Sequence, residues 1–177
     1  VETNMMLWVG SYLYKVKGME PPLAASWVSV FLACITAGRF LTGFLTFRMS
    51  NNRIIFIGMT SILVGVILMI VPLPFSFTLA GILFIGLGCA PIFPCMIHET
   101  PVHFGSSASQ SIMGFQMASA YIGVTFLPSS IGFITSHFSM KIFPLFIFVF
   151  ACFIFLFFLI LKKQTGTAVK SIFIPKR

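Results

Sequence analysis

Of 177 residues, 58% are hydrophobic and only 8% are charged, far below the roughly 25% charged residues of a soluble domain. A water-solvated globule of this length needs more polar surface than that, because one core hides only part of its area; the bilayer must take the remainder. The net charge of +8 is scattered over span ends and a terminal tail, so it does not point to nucleic acid.

The first apolar run, residues 1–17, is already under way at its first residue, with no initiator Met, signal peptide or basic lead-in, so the chain reads as a piece of a longer protein. On a helix at about 100° per residue, Asn4, Trp8, Ser11 and Tyr12 share roughly one third of the circumference. An amide, an indole, a hydroxyl and a phenol on one face suit a polyol, whose hydroxyls need donors and acceptors and whose CH faces stack on rings. The same residues also suit interhelical packing, with Tyr12 and Tyr14 in an interfacial aromatic belt. Glu2 lies about 22 Å back along the helix from Lys17, inside the membrane. A carboxylate there is a functional candidate. It can carry a coupling proton, bind substrate hydroxyls, or pair with a positive charge elsewhere in the longer protein.

Further runs follow at 23–47, 54–71, 75–97, 109–135 and 142–161, separated by "RMSNNR", "PLP", "HETPVHFGSS" and "SHFSMK". Each is about long enough to cross a ~30 Å hydrocarbon layer. Run 142–161 has no hydrogen-bonding side chain beyond Cys152, and run 54–71 has only Thr60 and Ser61; both suit the periphery. The other four carry the Glu, Asn, Gln, Arg, Trp and Tyr residues and should surround a shared space. In the fifth run Gln116, Ser119, Ala120 and Gly123 form a second polar wall. Small residues four apart (Ala33 and Ala37, Ser61 and Gly65, Gly114 and Ala118, Ser119 and Gly123) allow close helix contacts.

"PIFPCMIHETPVHFG", residues 91–105, begins like a zinc-protease pattern at His98-Glu99, but the second histidine that pattern needs is Val102. Cys95, His98 and Glu99 share a face, yet the four cysteines show no paired metal spacing. The stretch reads instead as a span kinked at Pro91 and Pro94 that ends near Pro101, with Ser107 and Gln110 capping the next helix. No metal or cofactor is called for. If the spans alternate, Arg48, Arg53, Lys162, Lys163, Lys170, Lys176 and Arg177 fall on one side and Lys15, Lys17 and Lys141 on the other. The richer side is the cytoplasm, and residues 162–177 form a basic cytoplasmic tail behind the bundle of residues 1–161.

"GRFLTGFLTFRMSNNR", residues 38–53, resembles the second copy of the loop motif of the major facilitator superfamily, with Phe47 and Ser50 where Asp and Gly often stand. "VETNMMLWVGSYL", "GCAPIFP" and "GVTFLPSSIG" are similar to the sugar permease branch near fucose permease. The resemblance implies an all-α membrane protein whose six transmembrane helices form the carboxy-terminal half of a twelve-helix fold, built as two inverted three-helix repeats. It further implies an amino-terminal six-helix half as partner and alternating access about a midplane site.

The function expected is secondary active transport of a sugar or similar small polar metabolite, coupled to protons, in the cell membrane. Asn4, Trp8, Ser11, Tyr12, Gln116 and Ser119 would bind substrate, Glu2 would be the coupling or ion-pair group, and Arg39 and Arg48 would form a cytoplasmic gate. Positive-inside anchoring is the plain alternative for the two arginines. Two rival functions are a carrier for drugs or other hydrophobic compounds and an intramembrane metal enzyme using His98, Glu99 and His103.

Overall fold

The computed structural model describes the backbone of residues 1–172, and the side chains of all of these except 103–107, 162 and 164–172. Among the described residues the architecture is all-helical: α1 (Glu2–Lys17), α2 (Pro21–Leu45), α3 (Asn51–Ile70), α4 (Phe75–His137), a 3₁₀ turn (Met140–Ile142) and α5 (Phe143–Ile172). The boundaries follow local chemistry. Gly18 closes α1 at φ 70, a left-handed conformation that only glycine adopts at little cost, and the Met19 N–H donates to the Leu13 carbonyl at 3.1 Å. Pro21 opens α2, where its missing N–H is an orphan in any case. Pro72 and Pro74 separate α3 from α4.

Among the described residues, five segments are long and apolar enough to cross a membrane: Pro21–Leu45, Asn51–Ile70, Phe75–Val102, Ala108–His137 and Met140–Leu161. They match the five complete runs of the sequence. The sixth, at 1–17, is a helix of 16 residues, about 24 Å long and so short of a full crossing. α5 continues in helical form past residue 161 into the basic segment.

One expectation is overturned. "HETPVHFGSS" was to leave the helix at Pro101, yet the backbone stays helical from Phe75 to His137, through Pro91, Pro94, Pro101 and Pro128. The chain nevertheless folds back within this element. The Thr100 hydroxyl lies 3.1 Å from Gln116 Oε1, whereas sixteen residues of straight helix would hold them about 24 Å apart. Each proline lacks the N–H that an interior helical position donates, yet the helical backbone runs through all four of them. A reversal that brings residue 100 to residue 116 is sharper than a proline kink, and two membrane-length segments, Phe75–Val102 and Ala108–His137, stand where the sequence placed two spans. Ser107 belongs to the residues whose side chains are not described, so the Ser107–Gln110 cap falls outside them; no helix start occurs there in the backbone.

α3 and the first segment of α4 form the tightest contact. A Cβ on Gly58 would come within 2.7 Å of the Gly88 carbonyl oxygen, and one on Gly65 within 2.5 Å of the Gly81 carbonyl oxygen. Ser61, between the two glycines, donates to the Phe84 carbonyl at 2.8 Å. The Ser61 and Gly65 pair thus does mediate packing. Gly114 meets nothing within 4 Å, Ala118 and Ser119 are exposed, and Ala33 and Ala37 are exposed on α2; those small-residue pairs lie on open faces. The core is built from Met5, Val9 and Leu13 of α1, Phe31 of α2, Val66 of α3, Ile82 and Ile85 of α4, and Phe143 and Ile147 of α5. α3 buries one face in this way and leaves Phe56, Ile57, Val64 and Ile67 outside.

Candidate functional site

Packing divides the residues expected on one polar face of α1. Asn4 and Tyr12 lie in the core at 2% and 3% exposure. The Tyr12 hydroxyl points at the Met69 carbonyl at 3.4 Å, and among the described residues Asn4 Oδ1 has no hydrogen-bond partner. Trp8 is half-buried; its indole N–H donates to the Pro128 carbonyl at 3.1 Å, and its ring covers Gly132, where a Cβ would come within 2.5 Å of it. Ser11 is partly buried. On the second segment of α4, Ser119 is exposed and Gln116 is tied to Thr100. The structure therefore ties Trp8 to α4 and Tyr12 to α3, and gathers none of these six around the polar cleft described next.

Glu2 finds its countercharge inside the chain. Its Oε1 accepts from Arg39 Nη2 of α2 at 3.1 Å, with the two side chains 39% and 58% exposed. The sequence places this partner beyond the chain and gives Arg39 a role in the gate or in positive-inside anchoring. A lone carboxylate and a lone guanidinium within apolar helices are each costly unless paired, and these two meet. Arg48 is exposed in the turn after α2.

Beside this pair lies a cleft of about 750 Å³ between the last third of α2, the start of α3 and the first segment of α4. Arg39, Thr42, Thr46, Asn51, Phe93 and His98 line it. That volume is within the roughly 300–1,000 Å³ range of small-molecule sites. Thr42 and Thr46 donate their hydroxyl hydrogens to the Gly38 and Gly43 carbonyls of their own helix, each at 2.7 Å. Their oxygens remain free to accept. Asn51 was not among the expected site residues, and His98 entered only through the rival metal-enzyme function, on the His98-Glu99 pattern and the face it shares with Cys95 and Glu99. Cys95 is buried and His98 exposed, and among the described residues no three His, Cys, Asp or Glu side chains converge as metal ligands would. His103 lies among the residues whose side chains are not described.

An uncharacterized MFS-type transporter of Yersinia pestis is 23% identical over 147 residues, covering 80% of this chain and 36% of the relative. The chain thus spans about a third of that relative's length. No solved structure matches. The family model described as Major Facilitator Superfamily matches residues 2–173, nearly the whole of a chain whose helices are apolar enough to cross a membrane five times; the chain belongs to the Major Facilitator Superfamily.

Proposed function

We propose that this chain is the carboxy-terminal half of a secondary active transporter of the cell membrane, six helices arranged as two inverted three-helix repeats, working against an amino-terminal six-helix half. It moves a sugar or similar small polar metabolite by alternating access coupled to protons. The observation that carries the reading is the Glu2–Arg39 pair beside a polar cleft, set in helices otherwise built for lipid. Charge is kept inside a membrane protein where a solute or ion must pass. Glu2 is the group through which protonation acts, since loss of its charge frees Arg39. Arg39 and Arg48 gate the cytoplasmic side, with the basic tail on that side as well. Asn4, Trp8, Ser11, Tyr12, Gln116 and Ser119 line the substrate path in states where the two halves part.

Proteoliposomes bearing the full protein, offered a panel of sugars with and without an inward proton gradient, test the proposal. Accumulation of one sugar should require the gradient and should be lost in Glu2→Gln. Uptake indifferent to the gradient would remove the coupling, and extrusion of dyes without any effect of sugar would replace the cargo. That second cargo, a drug or other hydrophobic compound, is favoured by one feature: Phe40 and Phe44 of α2 and Phe47 of the turn after it stand exposed.

A further inference from the structure

The donor and acceptor inventory of the cleft specifies more than polarity. Among its nine lining residues there is one guanidinium and no carboxylate. Arg39 makes a single hydrogen bond among the described residues, from Nη2 to Glu2, so four of its five N–H donors are unspent. Asn51 and His98 make no hydrogen bond to any described residue. The Thr42 and Thr46 oxygens line the same cleft from the helix that carries Arg39, and they can only accept, because their hydrogens are held by helix carbonyls. Phe93 is 45% exposed and offers a ring face. Glu99, the nearest acid along α4, is not part of the lining.

From this arrangement we infer that the cleft between α2, α3 and α4 binds a polyhydroxylated carboxylate, a compound of the sugar-acid class. Its carboxylate sits on Arg39, in the place that Glu2 Oε1 now shares, with Asn51 and His98 as further donors. Its hydroxyls donate to Thr42 and Thr46, and its CH face lies on Phe93. Glu2 is then an internal occupant of the guanidinium, and the incoming carboxylate competes with it. A guanidinium suits such an exchange because its planar fork can engage one carboxylate on one edge and accept a second on another. A neutral sugar satisfies the threonine oxygens but leaves the charge unused. The inference rests on the carrier reading for what the ligand is for, and on the cleft alone for the binding.

The matched probes are D-glucuronate and D-glucose, which differ at one carbon, with acetate as the bare anion. Titration calorimetry on the full protein in nanodiscs of neutral phosphatidylcholine should give glucuronate an affinity roughly tenfold or more above either control, since a charge-assisted bidentate contact is worth that much. Arg39→Gln should erase the advantage. Glu2→Gln should tighten glucuronate, because the competitor is gone; a residue needed only for folding would act in the opposite direction. If Arg39→Gln misfolds by stranding Glu2, the doubly neutral Glu2→Gln/Arg39→Gln protein takes its place and should bind glucuronate no better than glucose. Equal binding of the two sugars, survival of the advantage without Arg39, or weaker binding in Glu2→Gln would each overturn the inference. A protein that transports a neutral sugar but does not bind glucuronate loses the inference and keeps the carrier; one that binds glucuronate and transports nothing keeps the site and loses the carrier.

Discussion

Asn4 combines 2% exposure with an amide oxygen that no described group satisfies. A buried acceptor without a partner costs about 1–3 kcal/mol, and a fold selected for stability alone would place leucine there. Its retention is explained if the amide serves in a state where the bundles part. Asn4→Leu should therefore raise the unfolding free energy by about 1–3 kcal/mol while lowering solute uptake at least roughly tenfold, a loss of about 1.4 kcal/mol of transition-state stabilisation. Thermal unfolding and uptake on the same preparation check both parts, and full uptake would reduce Asn4 to a tolerated core polar. At this scale the sequence showed which residue types were unusual but not their partners. Arg39 is the one charged residue in run 23–47 and Glu2 the one acid in run 1–17, so two costly charges were legible as needing relief. That they relieve each other depends on how α1 and α2 rotate, which periodicity does not fix. The shared helical face holds Asn4 and Tyr12 together, and in this structure it packs into the core, as the interhelical alternative expected.

The contact of α3 with α4 shows what a spacing can and cannot announce. Gly58 and Gly65 are seven residues apart, as are Gly81 and Gly88, and the antiparallel helices pair Gly58 with Gly88 and Gly65 with Gly81. At each of these two points the backbone of one helix meets the backbone of the other, since glycine leaves no side chain there. A four-residue search found Ser61 and Gly65 but missed the heptad echo that identifies the true partners. Gly88→Ala would place a methyl about 2.5 Å from the Gly58 carbonyl oxygen, and overpacking against backbone costs about 1–3 kcal/mol. Gly114→Ala, with nothing within 4 Å, should instead be neutral or stabilise its helix by up to about 1 kcal/mol. Denaturation of the two variants side by side measures the contrast; equal behaviour would mean that the α3–α4 approach is looser than these distances. Pro101 does not end α4, because a proline costs a helix one donor and a steric clash but does not forbid helical backbone where the alternative leaves more groups unpaired; the reversal between residues 100 and 116 was legible all the same, as the break between two apolar runs.

Across the whole molecule the exposed surface is not of one kind. Apart from Cys152, α5 turns only apolar side chains outward within residues 145–161, as Leu145, Phe153 and Phe157 show. α2 exposes Phe40 and Phe44 beside Arg39, and the second segment of α4 exposes Phe115, Tyr121 and Phe126 beside Thr125 and Ser129. The hydroxyls decide nothing, because Thr125 and Ser129 donate back to carbonyls of their own helix and are satisfied in any medium. Arg39 is decisive: a guanidinium 58% exposed is tolerated against protein or a wet cavity and not against acyl chains. Polarity along the sequence predicts a sorting of helices into lipid-facing and inward-facing, while the location of the cavity is not legible there, since it depends on where three helix ends converge. In a background with Cys34, Cys89, Cys95 and Cys152 replaced by alanine, fluorophores attached at Phe153→Cys and Phe44→Cys should differ in their response to brominated lipid. Quenching at Phe153 should be roughly threefold the stronger, because in the proposed carrier the face that shares its surface with Arg39 would be covered by the other half. Equal quenching would put α2 in contact with lipid, leave Arg39 with no medium that tolerates it, and remove the wall on which both the carrier and its cleft depend.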